Sequence, residues 1–302
     1  MNLIEFKLKQ FLEKYARGEV QIPPEYIEEY AENIKRVASK TRKDKFTIRL
    51  SNVGKPLCQL QLEQQGVKGE GLNYTNAVRF AIGDNMEQWL VMMLRAAGVD
   101  VRGYQVPVKF NVEGVVISGT LDIQIEDKIW DIKTASKYGF TKFSSAGGID
   151  SILETDTFGY LSQGFGYATA EGKKFGGWIV LNKNDGDIAV MEVPDHTHDK
   201  YKDKALDLIK KNVKSLINNE PFKKLFSEQD EKFYGKLTGN KIIGYPCYEC
   251  AFKKTCWPQA VYLPSVTSKA KSPKLQLYTY VDPKYNLKDK NNEKEDNSGY
   301  AQ

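Results

Sequence analysis

The chain has 302 residues, enough for one large domain or two modest ones. Hydrophobic residues make up 41% and charged residues 27%, which allows a buried core and excludes collagenous, wholly disordered and disulfide-dense classes. Forty-four Lys+Arg against 39 Asp+Glu leave a net charge of +5, which permits a nucleic-acid partner without establishing one.

Residues 1–45 read as mostly helix. Ile4, Leu8, Phe11, Leu12 and Tyr15 recur at helical spacing, and a second amphipathic segment runs from about Pro24 to Val37. Nothing in the first residues resembles an apolar leader, and no apolar run approaches the ~20 residues of a membrane helix. The expectation is a cytoplasmic chain without membrane association, whose four cysteines act as ligands or free thiols rather than disulfides. The Gly- and Gln-rich stretch from Ser51 to Asn76 has no clean period and is expected to be loop or short helix. A strong helix follows, with Ile82, Met86, Trp89, Leu90, Met93, Leu94 and Ala97 in one stripe that ends at Gly98.

The period then changes to two. Gln105–Phe110, Val115–Ile125 and Lys128–Thr134 predict a three-strand meander. A loop with Gly147 and Gly148 leads to a helix from about Thr157 to Ala170. Two strands, Gly177–Leu181 and Asp187–Val193, flank the turn residues Asn184-Asp185-Gly186. A long amphipathic helix through Tyr201, Ala205, Leu208, Ile209, Val213, Leu216 and Ile217 comes next. After the cysteines at 247–256 the composition turns polar, and residues 282–302 are expected to be disordered. The order of elements is that of an α/β sandwich with a central mixed sheet flanked by helices.

Within the meander, Ile117, Gly119, Leu121, Ile123 and Ile125 alternate onto one face and leave Asp122 on the other. In the next strand Asp131 and Lys133 share a face opposite Trp130 and Ile132. If Glu126-Asp127 is a two-residue turn, Ile125 pairs with Lys128, and Asp122 lies across from Asp131 with Cβ atoms about 5 Å apart. Two carboxylates that close repel unless a cation sits between them, and hard oxygen ligands suit Mg²⁺ or Mn²⁺. Lys133 could hold a water or phosphate and stabilise developing negative charge. The plain alternative is a solvated hairpin face. Glu87 at the edge of the preceding helix's apolar stripe, and Gln163 with Tyr167 four residues later on one helix face, are further candidates. Taken alone, Glu87 is a boundary glutamate and Tyr167 a packing residue.

Taken together, these segments resemble the PD-(D/E)XK nuclease superfamily in its RecB/AddB-like branch. Gly83–Glu87 is similar to that branch's G-x-x-x-H helix, with Glu87 in place of the histidine. Gly119–Asp122 resembles its G-x-x-D strand, Asp131–Lys133 its D/E-x-K strand, and Gln163–Tyr167 its Q-x-x-x-Y helix. The resemblance implies a restriction-endonuclease-like core over residues 79–195. Residues 1–78 would be a helical N-terminal region, 196–263 a helical region, and 264–302 a polar tail. It also implies Asp122, Asp131, Glu87 and the Ile132 carbonyl as Mg²⁺ or Mn²⁺ ligands. Lys133 would position and help deprotonate the attacking water, while Gln163 and Tyr167 steady the scissile strand.

Cys247-x-x-Cys250-x₅-Cys256 is a tight group, and Cys58 lies far upstream. Three close thiolates and one remote one can complete a four-cysteine shell if the chain folds back, although the second close pair of a zinc ribbon is missing. The layout resembles that of the branch's iron–sulfur nucleases, the Cas-four-type exonucleases among them. That likeness implies a structural [4Fe–4S] cluster on Cys58, Cys247, Cys250 and Cys256. Zn²⁺ in the same shell and plain buried thiols are the alternatives. His196 and His198 read as the lead-in to a helix, and no phosphate-binding G-x-x-x-x-G-K-[ST] is present.

The expected function is therefore a metal-dependent DNA exonuclease acting on single strands or ends. Lys137, Tyr138, Phe140 and Lys142, in a loop after the D-x-K strand, would grip the strand through phosphate contacts and stacking. A helicase or other DNA-processing protein would supply any unwinding, and the oligomeric state is open. The alternatives are a non-catalytic iron–sulfur nucleic-acid-binding subunit and an endonuclease on the same fold.

Overall fold

The computed structural model describes residues 2–39, 46–144, 148–153 and 156–285. The chain divides into two compact units, Met1–Gly66 with Leu72–Pro221, and Val67–Gly71 with Phe222–Gln302.

The first unit opens with α1 (Leu3–Ala16) and α2 (Pro24–Ala38), followed by the short α3 (Leu57–Gln64) and the 23-residue α4 (Tyr74–Ala96). The sequence supplies their ends. The Asn2 side chain accepts the Ile4 N–H of α1, Pro24 sits in the first turn of α2, and Asn73 and Asn76 cap α4 reciprocally. Strands β1 (Val101–Val112), β2 (Val115–Ile125) and β3 (Lys128–Ala135) form the expected antiparallel meander. Helices α5 (Lys137–Ser144), α6 (Gly148–Leu153) and α7 (Tyr160–Ala170) carry the chain to β4 (Lys174–Asn182), which pairs parallel with β3. β5 (Ile188–Glu192) turns back antiparallel, and α8 (Asp195–Ile217) closes the unit. The sheet is thus mixed and five-stranded, in the order β1-β2-β3-β4-β5.

Two apolar layers hold this sheet. One joins Leu50, Val108, Ile117, Leu121, Ile129 and Trp178 to α5–α8 through residues such as Phe140, Phe165 and Ile209. The other joins Ile123, Ile125, Trp130, Ile132 and Ile179 to α1 and α4 through Leu8, Leu90 and Met93. The single alternating face expected for β2 is therefore divided, with Ile117 and Leu121 in one layer and Ile123 and Ile125 in the other. The change falls opposite Gln105, which lies between the pairs Tyr104–Ile123 and Val106–Leu121. Gln105 has φ +49, left-handed backbone that interrupts a regular pleat.

Of the helical region expected for 196–263, α8 accounts for the part up to Ile217, and the second unit that follows is built of strands instead. Strands β6 (Gln229–Phe233), β7 (Lys236–Ile242), β8 (Val261–Pro264) and β9 (Leu275–Tyr280) form a sheet in the order β6-β7-β9-β8. Among the described residues of this unit the one α-helix, α9 (Lys253–Cys256), is a single turn. The polar tail expected from residue 264 begins later, because β9 buries Leu277 and Tyr278. Residues 286–302, where disorder is also expected, lie outside the described residues. Among the described residues, no helix is long and apolar enough to cross a membrane.

Candidate active site on the β2–β3 hairpin

The hairpin register is the one the turn arithmetic predicts. Ile125 pairs with Lys128 and Ile123 with Trp130, around a turn in which Glu126 takes φ +54. Beyond Trp130 the backbone ladder gives way to side-chain chemistry. The Asp122 carboxylate accepts the Ile132 N–H at 3.0 Å, which places it directly over the start of the D-x-K segment.

Asp131 is 1% exposed and Asp122 is 8% exposed, so two like-charged groups are withdrawn from water side by side. Lys133 answers part of that charge, its ammonium donating to Asp131 Oδ1 at 2.8 Å. The other oxygen, Asp131 Oδ2, is buried with no hydrogen-bond partner. Burial pushes the Asp131 carboxyl well above its ordinary range, Asp122 adds to the shift, and Lys133 opposes it. Burial alone would lower the Lys133 ammonium, but the two aspartates hold it above its ordinary value.

Glu87 is brought to the same place by α4. Burial and the Asp122 carboxylate raise it, and the Gln105 amide donates to Glu87 Oε1 at 2.5 Å. Gln105 is a participant that the sequence did not reveal. Its contribution depends on the left-handed backbone noted above, and such conformations gather at functional sites.

Tyr167 comes from α7, within reach of the fields of Asp122 and Asp131 and hydrogen-bonded to Gln163. Its ring explains Gly119. A Cβ at that position would stand 2.5 Å from Tyr167 Cε1, so a side chain on β2 would displace the ring. Gly83 has a looser justification, since a Cβ there would meet only Thr134 Oγ1 at 3.6 Å. A second residue of α7, Tyr160, was not foreseen. The Lys133 ammonium lies 5.3 Å from the centre of its ring.

The Lys137–Phe143 segment is helix α5 and not a loop. Lys137 and Tyr138 face solvent, Tyr138 being 76% exposed, and the Lys142 ammonium lies 5.5 Å from the Tyr138 ring centre. Phe140 does not share that surface. It is 6% exposed and packs in the core with Phe143, because positions three apart fall on the same side of a helix. His196 and His198 lie within the first turn of α8 rather than ahead of it: His198 is buried and accepts the Phe175 N–H through Nε2, while His196 is exposed.

The carboxylate set fits a hard divalent cation. Asp122 and Asp131 offer buried oxygens, one of them orphaned, and Mg²⁺ typically takes one or two carboxylates while keeping several waters. It is an open arrangement: among the described residues, no three or more His, Cys, Asp or Glu are gathered into a metal-holding group. The same holds for the cysteines. Burial raises the Cys247 and Cys256 thiols, and Cys250 adds to both, so the three are neighbours without forming a shell. Cys58 belongs to α3 in the first unit.

A scan against models of protein families finds no match, and neither does a search of curated proteins. Among solved structures, the chain is similar to the crystal structure of SSO0001, with 15% identity and a TM-score of 0.40 over 75% of this chain and 93% of that one. It is also similar to a "Putative exonuclease" from Eubacterium rectale, with 14% identity and a TM-score of 0.32 over 72% of this chain and 68% of that one. Likenesses so distant carry no argument about activity, which has to be reasoned from the residues of the hairpin.

Proposed function

We propose that the first unit is a Mg²⁺- or Mn²⁺-dependent nuclease of the PD-(D/E)XK type that hydrolyses DNA phosphodiester bonds, working from ends. The observation that carries this reading is the pair Asp122 and Asp131. Folding gains nothing by burying two adjacent carboxylates and leaving one oxygen without a partner, unless a ligand completes the site.

Asp122 and Asp131 would hold the cation with the Ile132 carbonyl, and the resemblance adds Glu87, which is not gathered with them into one metal-holding group among the described residues. When bound, the cation would offset phosphate charge and ease deprotonation of a water. Lys133, anchored by Asp131, presents a fixed positive charge where negative charge grows on the phosphoryl oxygens. Proton removal by Lys133 would have to overcome the pull of both aspartates, so charge stabilisation is the role its surroundings favour. Gln105 orients Glu87, and Gln163 orients the Tyr167 hydroxyl toward the strand. Exposed Lys137 and Tyr138 on α5 would meet DNA outside the site.

The resemblance noted above also assigns Cys58, Cys247, Cys250 and Cys256 to a [4Fe–4S] cluster, with a structural role. Anaerobic purification followed by iron and zinc analysis and absorption spectroscopy tests it. Iron with a broad visible band lost in Cys250→Ser supports the cluster, and stoichiometric zinc or metal-free protein refutes it.

The activity is tested by digesting end-labelled linear and closed circular DNA with Mn²⁺, Mg²⁺ or EDTA. Lys133→Ala and Asp131→Asn serve as controls. Metal-dependent loss of the linear substrate alone, reduced by about 10²–10⁴ in both variants, is expected. Cutting of the circle would replace the end-dependent reading with an endonuclease. Binding without cutting by folded wild-type protein would leave a nucleic-acid-binding module.

A further inference from the structure

The segment leading into α7 presents an aromatic pair that the hydrolytic chemistry does not use. Phe158 and Tyr160 stack with ring centres 5.4 Å apart and planes 19° from parallel, an offset face-to-face arrangement. Phe158 is 48% exposed, while Tyr160 also leans on buried Phe143 at 6.0 Å. Tyr160 also borders the site, with Lys133 Nζ 5.3 Å from its ring centre. The stack therefore runs from the D-x-K lysine outward to solvent.

The backbone beneath it is fixed. The Asp156 carboxylate accepts three N–H groups, from Gly159, Tyr160 and Leu161, at 2.7, 2.9 and 2.9 Å. Gly159 takes φ +77 and lies so close to Gly54 that a Cβ would stand 2.6 Å from its Cα. A half-exposed phenylalanine on a pinned segment loses little further freedom when a flat ligand settles on it.

We propose that the Phe158–Tyr160 stack is a base-stacking platform, on which the nucleobase rests beside the phosphate that Lys133 and the cation on Asp122 and Asp131 would hold. This rests on the nuclease reading for its ligand, a single-stranded polynucleotide. An aromatic face beside the Lys133 ammonium offers one partner to each half of a nucleotide, the base and the phosphate. Stacking of this kind is tolerant of sequence, since every base offers a π face. It also requires an unpaired base, and so selects single strands or frayed ends.

The test measures binding apart from cleavage. Fluorescence anisotropy in Ca²⁺ compares a labelled oligothymidylate with a base-free strand of the same phosphate count. The proteins are wild type, Phe158→Leu and Phe158→Trp, each checked for an unchanged melting temperature. For wild type, removing the bases is expected to weaken binding about tenfold or more. Phe158→Leu should weaken binding of the intact strand by a similar factor and shrink the penalty for removing the bases. Phe158→Trp should retain affinity, with its indole emission quenched by the strand. Equal affinity of wild type and Phe158→Leu for the intact strand overturns the platform, as does an undiminished base penalty in Phe158→Leu. Cleavage by Lys133→Ala in Mn²⁺ is scored separately. Wild-type rates there would defeat the catalytic reading and leave the binding result standing.

Discussion

Both units of this protein bury carboxylates in a β-sheet, and they treat them in opposite ways. In the second unit Glu231 accepts hydrogen bonds from the Tyr278 hydroxyl at 2.8 Å, the Thr238 hydroxyl at 2.9 Å and the Asn240 amide at 2.7 Å. Thr238 and Asn240 belong to the adjacent β7 and Tyr278 to β9 beyond it, so the carboxylate ties β6, β7 and β9 together. In the first unit Asp131 has another carboxylate for a neighbour, a single ammonium partner and one oxygen with none. A buried charge that is fully partnered specifies a structure, whereas one left partly unsatisfied stores unfavourable free energy until something binds. On the proposed reading, the difference is that between a structural carboxylate and a functional one.

The sharpest way to break the comparison is to neutralise both. Glu231→Gln turns an amide group toward donors that need an acceptor and should cost about 2–4 kcal/mol, read by urea denaturation. Asp131→Asn relieves the crowding with Asp122 while its amide oxygen can still accept from Lys133, and it should leave metal-free stability equal or higher while lowering metal-dependent cleavage by about 10²–10⁴. A destabilisation by Asp131→Asn as large as that of Glu231→Gln would show the aspartate to be structural.

Gly119→Ala probes the site through packing. Its Cβ must displace the Tyr167 ring or shift β2, with an expected cost of about 1–3 kcal/mol in thermal unfolding. Tyr167→Ala itself should cost about 3–5 kcal/mol, and in that background the further penalty of Gly119→Ala should largely vanish if the ring is the obstacle. Full stability of Gly119→Ala alone would refute the contact.

A smaller effect comes from pH. Glu87 and Asp131 have folded-state pKa values raised to about 8, so the folded protein holds protons that the unfolded chain has already released. Their contribution is fully present below the ordinary carboxylate range and is lost as pH rises toward 8. The metal-free protein should therefore lose stability between about pH 5 and pH 8, and Mn²⁺ should restore it most at the alkaline end. Glu87→Gln should flatten the profile, and a metal-free stability that rises over this range would contradict the crowding of the carboxylates.

Much of the first unit was legible in the sequence, because its elements follow local rules. Period-two alternation on either side of Glu126-Asp127 fixed the hairpin register as far as the Ile123–Trp130 pair, and Asp122 and Asp131 are the next residues on their strands, where the ladder ends. The apolar stripe of α4 likewise carried Glu87 toward them. Phe140 was misplaced although its spacing from Phe143 was visible, because a short Lys- and aromatic-rich helix looks like a binding loop until its buried face is known. The second sheet was not foreseen, since strands such as Gln229–Phe233 and Lys236–Ile242 show no apolar alternation and cohere around a buried glutamate instead.

The sequence by itself thus determined the mixed sheet's strands, the facing carboxylates of its hairpin and the order of the helices around them. Those depend on turn chemistry and periodicity, which act over a few residues. Only the tertiary structure decided that Gln105 turns its amide to Glu87, that Tyr167 lies on Gly119, and that Phe158 and Tyr160 stack beside Lys133. Each of those contacts joins residues whose neighbourhood is set by strand pairing and helix packing across the fold, and no local pattern encodes distances of that kind.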